Sequence, residues 1–154
     1  MNSTIDYEKL KLFYIGKEES SKDVYTPLVY KNKDLLTHAA IIGMTGSGKT
    51  GLGISLLEEA AIDNIPSIII DPKGDMGNLL LTFPNLEGSD FEPWIEEQDA
   101  INNGVTVKEH AKNTANMWKK GIEGDFQGAQ RIEKLKNAAD FTIYTPGSSA
   151  GVQI

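Results

Sequence analysis

Apolar residues form short continuous runs in the first half of the chain and follow helical spacing through much of the second half. Three runs, at 38–42, 65–70 and 140–145, have the length and composition of buried strands. Two earlier runs, 12–16 and 26–30, flank a mostly charged segment, which predicts a β-hairpin with a loose loop. The pattern therefore predicts a mixed α/β chain in which a hairpin precedes three core strands.

Helical signals connect these predicted strands. Residues 52–61 repeat apolar side chains along one side, which predicts a helix directly after the first core strand. Thr106 and Glu109 have the spacing of a capping box before a helical stretch at 110–120, and a further helix is expected over 129–139. A helix that joins two strands of one sheet favours parallel strands with a right-handed crossover.

Between the first core strand and its helix lies a complete phosphate-binding pattern, Gly-x-x-x-x-Gly-Lys-Thr. Glycines let the backbone turn tightly and bring N–H groups against phosphate oxygens, at a helix start that already favours an anion. Lys49 is expected to reach the β- and γ-phosphates and to act in catalysis, and the Thr50 hydroxyl to bind Mg²⁺. The predicted nucleotide-binding residues are Gly43, Thr45, Gly46, Ser47, Gly48, Lys49, Thr50 and Gly51.

Composition narrows the class of protein. A length of 154 residues suits one domain, and a net charge of −7 argues against adhesion of the whole surface to nucleic acid. The sequence has no cysteine, which rules out disulfides and thiolate metal sites. It shows no signal-peptide profile and no apolar run of membrane-spanning length, so we expect a cytoplasmic protein without membrane contact.

Asp71, at the end of the second apolar run, admits three interpretations. It could be the carboxylate of the metal shell, or a sensor or structural residue on a flanking strand, or a residue that only turns the chain. Lys73 and Asp75 follow it at the sheet edge where open α/β folds bind ligands, so both are candidate functional residues.

The phosphate loop followed by Ile69-Ile70-Asp71-Pro72-Lys73-Gly74-Asp75 resembles the HerA–FtsK superfamily of ring-forming ATPases. Residues 141–148 are similar to the next strand and loop of HerA-like proteins. The resemblance implies a P-loop NTPase fold of RecA type, a three-layer sandwich with a mostly parallel sheet. It also implies ATP and Mg²⁺ as cofactors, DNA as a partner and a homo-oligomer in the form of a hexameric ring.

Members of that superfamily use a downstream Asp-Glu pair and an arginine from the neighbouring subunit. The chain reaches Ile154 without such a pair, so we expect a truncated core over 38–154 preceded by a hairpin extension over 1–37. The expected function is the ATP-binding portion of a DNA translocase or helicase, with little or no ATPase activity of its own. The alternatives are a self-contained P-loop kinase or GTPase that uses Asp71 at the metal, and a nucleotide-binding module that does not hydrolyse its ligand.

Overall fold

The computed structural model describes residue 7, residues 9–123 and residues 130–154. The described residues divide into two compact units. One unit lies between Phe83 and Glu133, and the other takes in the residues up to Thr82 and from Lys134 onward. The phosphate-loop sequence belongs to the second, larger unit.

The predicted hairpin is confirmed. Strand β1 (Leu12–Ser21) pairs antiparallel with strand β2 (Val24–Lys31), and the register runs from Leu12 opposite Lys31 to Ser21 opposite Val24. The expected loose loop is wrong, because residues 17–21 continue β1 and only two residues remain in the turn. Asp23 in that turn adopts a left-handed φ of 59°, a conformation that Asp tolerates better than most residues.

Within the described residues, five α-helices follow the hairpin. The helices are α1 (Lys49–Ile62), α2 (Gly88–Phe91), α3 (Glu97–Asn102), α4 (Val107–Glu123) and α5 (Gln130–Ala138), with 3₁₀ turns at Asn32–Leu35, Asp75–Leu80 and Glu92–Trp94. The predicted cap of α4 is present, since the Glu109 N–H donates to the Thr106 hydroxyl at 3.2 Å. Among the helices of the described residues, none combines the length and apolar character that a membrane span requires.

The three predicted core strands are not paired in the part of the chain that the structure describes. Residues 38–42 and 65–70 lie outside the single two-stranded sheet, and of the third run only Tyr144 forms an isolated bridge, with Val152. Ile42 and Ile68 are accordingly 93% and 98% exposed. The expected mostly parallel sheet is therefore absent from the described residues. A strand needs a neighbour to satisfy its N–H and C=O groups, and an apolar run does not specify that neighbour.

Each unit has its own small core. In the unit between Phe83 and Glu133, α2 packs against α4, and Phe83 meets Phe91 edge to face with ring centroids 4.9 Å apart. In the larger unit, the end of α1 packs on α5, where Ala61, Ile62 and Leu135 are buried together. The phosphate-loop helix is thus anchored at its C-terminal end.

We predict that Phe91→Ala destabilises the unit that contains α4 by about 3 kcal/mol. The ring is buried against Phe83, and its removal leaves a cavity that a small core cannot fill. Urea denaturation followed by far-UV circular dichroism measures the change.

The matched control is Trp94→Ala, since the Trp94 side chain is 61% exposed. Its removal should change the free energy of unfolding by less than about 1 kcal/mol. Equal losses for the two variants would contradict the assignment of the core.

Candidate nucleotide-binding site

The turn that leads into α1 depends on two glycines in the left-handed region. Gly46 has a φ of 79° and Gly48 a φ of 85°, and Gly48 is the residue that caps α1. A side chain at either position would strain the backbone, because left-handed conformations are unfavourable for residues with a Cβ. The spacing of the sequence motif therefore corresponds to a real backbone requirement.

The first half of the loop is closed tightly on itself. The Ser47 N–H donates to the Met44 carbonyl at 3.2 Å. A Cβ added to Gly43 would meet the Ser47 hydroxyl, so a side chain there would force that hydroxyl out of its present position. Gly43, Gly46 and Gly48 are thus each explained by the geometry of the loop.

The start of α1 supplies amides that suit an anion. The first amide that the helix itself satisfies is that of Leu52, which donates to the Gly48 carbonyl at 2.9 Å. The amides of Lys49, Thr50 and Gly51 come before it and have no carbonyl one turn back to accept them. Together with the helix dipole, these three donors favour a phosphate group, and the exposed Thr50 hydroxyl lies beside them in sequence.

Lys49 folds back over its own loop. Its Nζ donates to the Met44 carbonyl at 2.5 Å. The sequence motif could not reveal this contact, because Met44 takes part through its backbone and not through its side chain. A phosphate oxygen is a stronger acceptor for an ammonium group than a neutral carbonyl is. Transfer of the Lys49 hydrogen bond from the Met44 carbonyl to a phosphate oxygen would therefore favour phosphate binding.

Asp71 forms the centre of a separate turn. Its Oδ1 accepts the Gly74 N–H at 2.9 Å and the Lys73 N–H at 3.3 Å, and its Oδ2 accepts the Met76 N–H at 2.8 Å. Gly74 completes the turn with a φ of 80° and caps the 3₁₀ segment Asp75–Leu80. The backbone N–H of Met76, with smaller contributions from Gly74, Lys73 and Asp75, lowers the pKa of the Asp71 carboxyl. This geometry corresponds to the chain-turning interpretation of Asp71.

Lys73 and Asp75 pair with each other at the surface. The Lys73 Nζ lies 2.9 Å from the Asp75 Oδ2, and the Lys73 side chain is 80% exposed. The hydrogen bond and charge of Asp75 raise the pKa of Lys73. An ion pair this exposed adds little stability, so it leaves both side chains available for another partner.

The predicted site residues form two groups rather than one. Within the described residues, no hydrogen bond or ion pair connects positions 43–51 with Asp71, Lys73 or Asp75. The described chain likewise contains no cluster of three His, Asp or Glu side chains that could hold a metal ion. The loop thus fits a phosphate by its amides and its lysine, whereas residues 43–51 offer a magnesium ion hydroxyl groups such as that of Thr50 but no carboxylate.

Comparison with known proteins adds a family context. A family model described as "Helicase HerA, central domain" matches residues 13–140, which is most of the chain. Over 48 residues, or 31% of the chain, the sequence is 46% identical to the type 4 coupling protein DotL of Legionella pneumophila subsp. pneumophila. That match spans 6% of DotL, so the chain covers a small part of this relative's length. No solved structure matches the chain.

We predict that the amides of Gly74 and Met76 report the titration of Asp71 at a pH below the ordinary carboxyl range. Because the folded pKa is lowered, the carboxylate stabilises the turn above the unfolded pKa of about 3.9, and this stabilisation is lost as the pH falls through the folded value. Amide chemical shifts followed by NMR during acid titration measure this pKa directly.

Asp71→Asn provides the control, because it removes the titrating group while it keeps one acceptor oxygen. The shift of the Met76 amide with pH should disappear in that variant. A midpoint at or above the ordinary carboxyl value in the wild type would contradict the hydrogen-bonding scheme.

Proposed function

The chain belongs to the family of the HerA helicase central domain, and from this membership we propose that it is the ATP-binding portion of a HerA/FtsK-like ring ATPase. Such an ATPase couples ATP hydrolysis to DNA translocation or unwinding. The observation that carries the proposal is the phosphate loop, in which left-handed Gly46 and Gly48 lead directly into α1.

In the proposed binding mode, the backbone amides of residues 45–50 hold the phosphates. Lys49 leaves the Met44 carbonyl and neutralises charge on the β- and γ-phosphates. Charge that develops on the γ-phosphate during hydrolysis is stabilised by the same ammonium group, which gives Lys49 its catalytic role.

The proposed magnesium ligand is the Thr50 hydroxyl. A Mg²⁺ ion held there would supply positive charge to the phosphate tail of the nucleotide. Asp71 is a weaker candidate, because three of roughly four lone-pair sites on its carboxylate already accept backbone N–H groups. Any contribution from Asp71 to the metal shell would use the remaining site.

The finer architecture is also a proposal. We infer that residues 38–42, 65–70 and 140–145 are strands of a RecA-like, mostly parallel sheet when neighbouring strands flank them. Ile68 and Ile70, which are 98% and 88% exposed, support this view, because side chains of that kind are normally covered. In that sheet the phosphate loop would follow the strand 38–42, and the turn of Lys73 and Asp75 would follow the strand 65–70. Both would then lie at the carboxyl ends of parallel strands, along the same edge of the sheet. The hexameric ring and the DNA partner rest on the family resemblance.

A second candidate function is nucleotide binding without turnover. It is favoured by the engagement of Asp71 in its own turn and by the lack of an acidic metal cluster among the described residues. The same two observations weigh against a self-contained kinase or GTPase that would depend on Asp71 at the metal. Binding and hydrolysis must therefore be measured separately.

We predict that Lys49→Ala weakens binding of a non-hydrolysable ATP analogue by at least about tenfold. The loss removes a charge-assisted hydrogen bond, which contributes about 1.5–3 kcal/mol. Isothermal titration calorimetry on both proteins measures the affinities, and the fold should persist because the Lys49 ammonium group donates to the Met44 carbonyl within its own loop.

Lys33→Ala is the matched control, since Lys33 is an exposed lysine in the 3₁₀ turn after β2. Its affinity should equal that of the wild type. Equal affinities for the wild type and Lys49→Ala would refute the assignment of the loop.

We further predict that this chain, taken alone, hydrolyses ATP at well below about one turnover per second, with or without DNA. In the proposed binding mode residues 45–50 would hold the phosphates, but the sequence contains no Asp-Glu pair of the kind that orients the attacking water in this superfamily. A phosphate-release assay under both conditions measures the rate, and a turnover of several per second would instead assign the metal-shell role to Asp71.

A further inference from the structure

The buried residues of the phosphate-loop helix lie at its C-terminal end. Glu59, Ala60, Ala61 and Ile62, in the last turn of α1, are buried, whereas Thr50 and Gly51 in its first turn are exposed. A helix rises about 1.5 Å per residue, so the loop lies about 15 Å along the helix from Glu59. The position of the loop therefore depends on the contacts that hold the C-terminal end of α1.

One polar contact with that end comes from the first strand of the hairpin. The Tyr14 N–H of β1 donates to the Glu59 Oε2 at 2.7 Å, at the point where the strand register shifts between Tyr14 and Gly16. Glu59 is only 1% exposed. Tyr14 is also buried and stacks on Tyr7 with ring centroids 5.6 Å apart, so the donor is itself fixed by packing.

The second contact comes from the other strand. Asn32 directly follows β2, and its side-chain amide donates to the carboxylate of Asp63, the residue that caps the C-terminus of α1. The Asn32 backbone N–H donates to the Lys11 carbonyl at 3.2 Å, which closes the base of the hairpin. Both strands of the hairpin thus reach the same end of the same helix.

The two contacts together restrict rotation as well as translation of α1. Glu59 and Asp63 are four residues apart, so they lie on one face of the helix. If the hairpin shifted by one residue along this face, both hydrogen bonds would be broken. Burial of a carboxylate is unfavourable compared with an apolar side chain of similar size, so Glu59 contributes specificity of position more than packing energy. Gly51 and Gly53 weaken the first turns of α1, which makes the anchored end more important.

We propose that the hairpin is a clamp on the phosphate-loop helix and that Glu59 and Asp63 are positioning residues for nucleotide binding. The inference rests on the proposed function, since it assumes that the loop binds a nucleotide. Order at the loop and order at the clamp are then coupled through α1. Nucleotide binding should stabilise the hydrogen bonds of the clamp, and loss of those hydrogen bonds should weaken nucleotide binding by the same factor.

The wild-type chain provides the first test. Amide hydrogen exchange is measured by NMR with and without a saturating non-hydrolysable ATP analogue and Mg²⁺. We expect slower exchange at Thr50 and Gly51, which contact the ligand in the proposed binding mode, and also at Tyr14, which lies at the clamp. A merely structural hydrogen bond would slow the exchange of Tyr14 no more than ligand binding slows the other globally exchanging amides of the larger unit.

Variants of Glu59 provide the second test. Glu59→Leu removes the acceptor and should weaken analogue binding by about tenfold, whereas Glu59→Gln retains an acceptor oxygen and should bind within about threefold of the wild type. Glu18→Leu makes the same chemical change at an exposed position of β1 and should have no effect on affinity. If Glu59→Leu does not fold, Asn32→Ala breaks the second contact at a less buried position and should weaken binding in the same direction.

The outcomes separate this inference from the function on which it rests. If the analogue slows exchange at Thr50 and Gly51 but not at Tyr14, the loop binds nucleotide and the clamp proposal is wrong. Wild-type affinity in a folded Glu59→Leu or Asn32→Ala variant would overturn it as well. If the analogue changes neither the loop nor Tyr14, the proposed function fails and the clamp proposal fails with it.

Discussion

Two left-handed glycines at the entrance to α1 are the constraint on which the candidate site depends. Because Gly46 and Gly48 turn the backbone sharply, the helix begins at Lys49 and its first three amides remain without helical acceptors. The same turn brings the Lys49 ammonium group to the carbonyl of Met44. Donors, charge and hydroxyl are therefore supplied by six consecutive residues, 46–51.

This local character explains which parts of the structure could be predicted from the sequence. The hairpin, α1, the Thr106 cap and α4 follow from signals within a few residues of each element. The core strands depend on neighbours that an apolar run does not specify, and residues 38–42 and 65–70 are unpaired in the structure. The charged composition of residues 17–21 predicts a loop, yet these residues pair with β2. Backbone hydrogen bonds between strands do not depend on side-chain polarity.

The candidate site shows the same division. The left-handed turns at Gly46 and Gly48 were predictable from the motif, because its spacing reflects backbone geometry. Asp71 was ambiguous, since a carboxylate after an apolar run suits a metal ion and a turn equally well; its three N–H partners show that it forms a turn, and a role at a metal stays a prediction. Glu59 was not identified, because a glutamate on a helix is normally solvated. Its place between Leu56, Leu57, Ala60 and Ala61, in the apolar part of α1, was the available signal.

The most direct measurement of the central claim is a titration of the isotopically labelled chain with a Mg²⁺–ATP analogue, followed through its backbone amide resonances. If the loop holds the triphosphate through main-chain N–H groups, the amides of Gly46, Gly48, Lys49, Thr50 and Gly51 shift together and saturate at one ligand per chain. Saturable shifts elsewhere with these five amides unchanged would contradict the account.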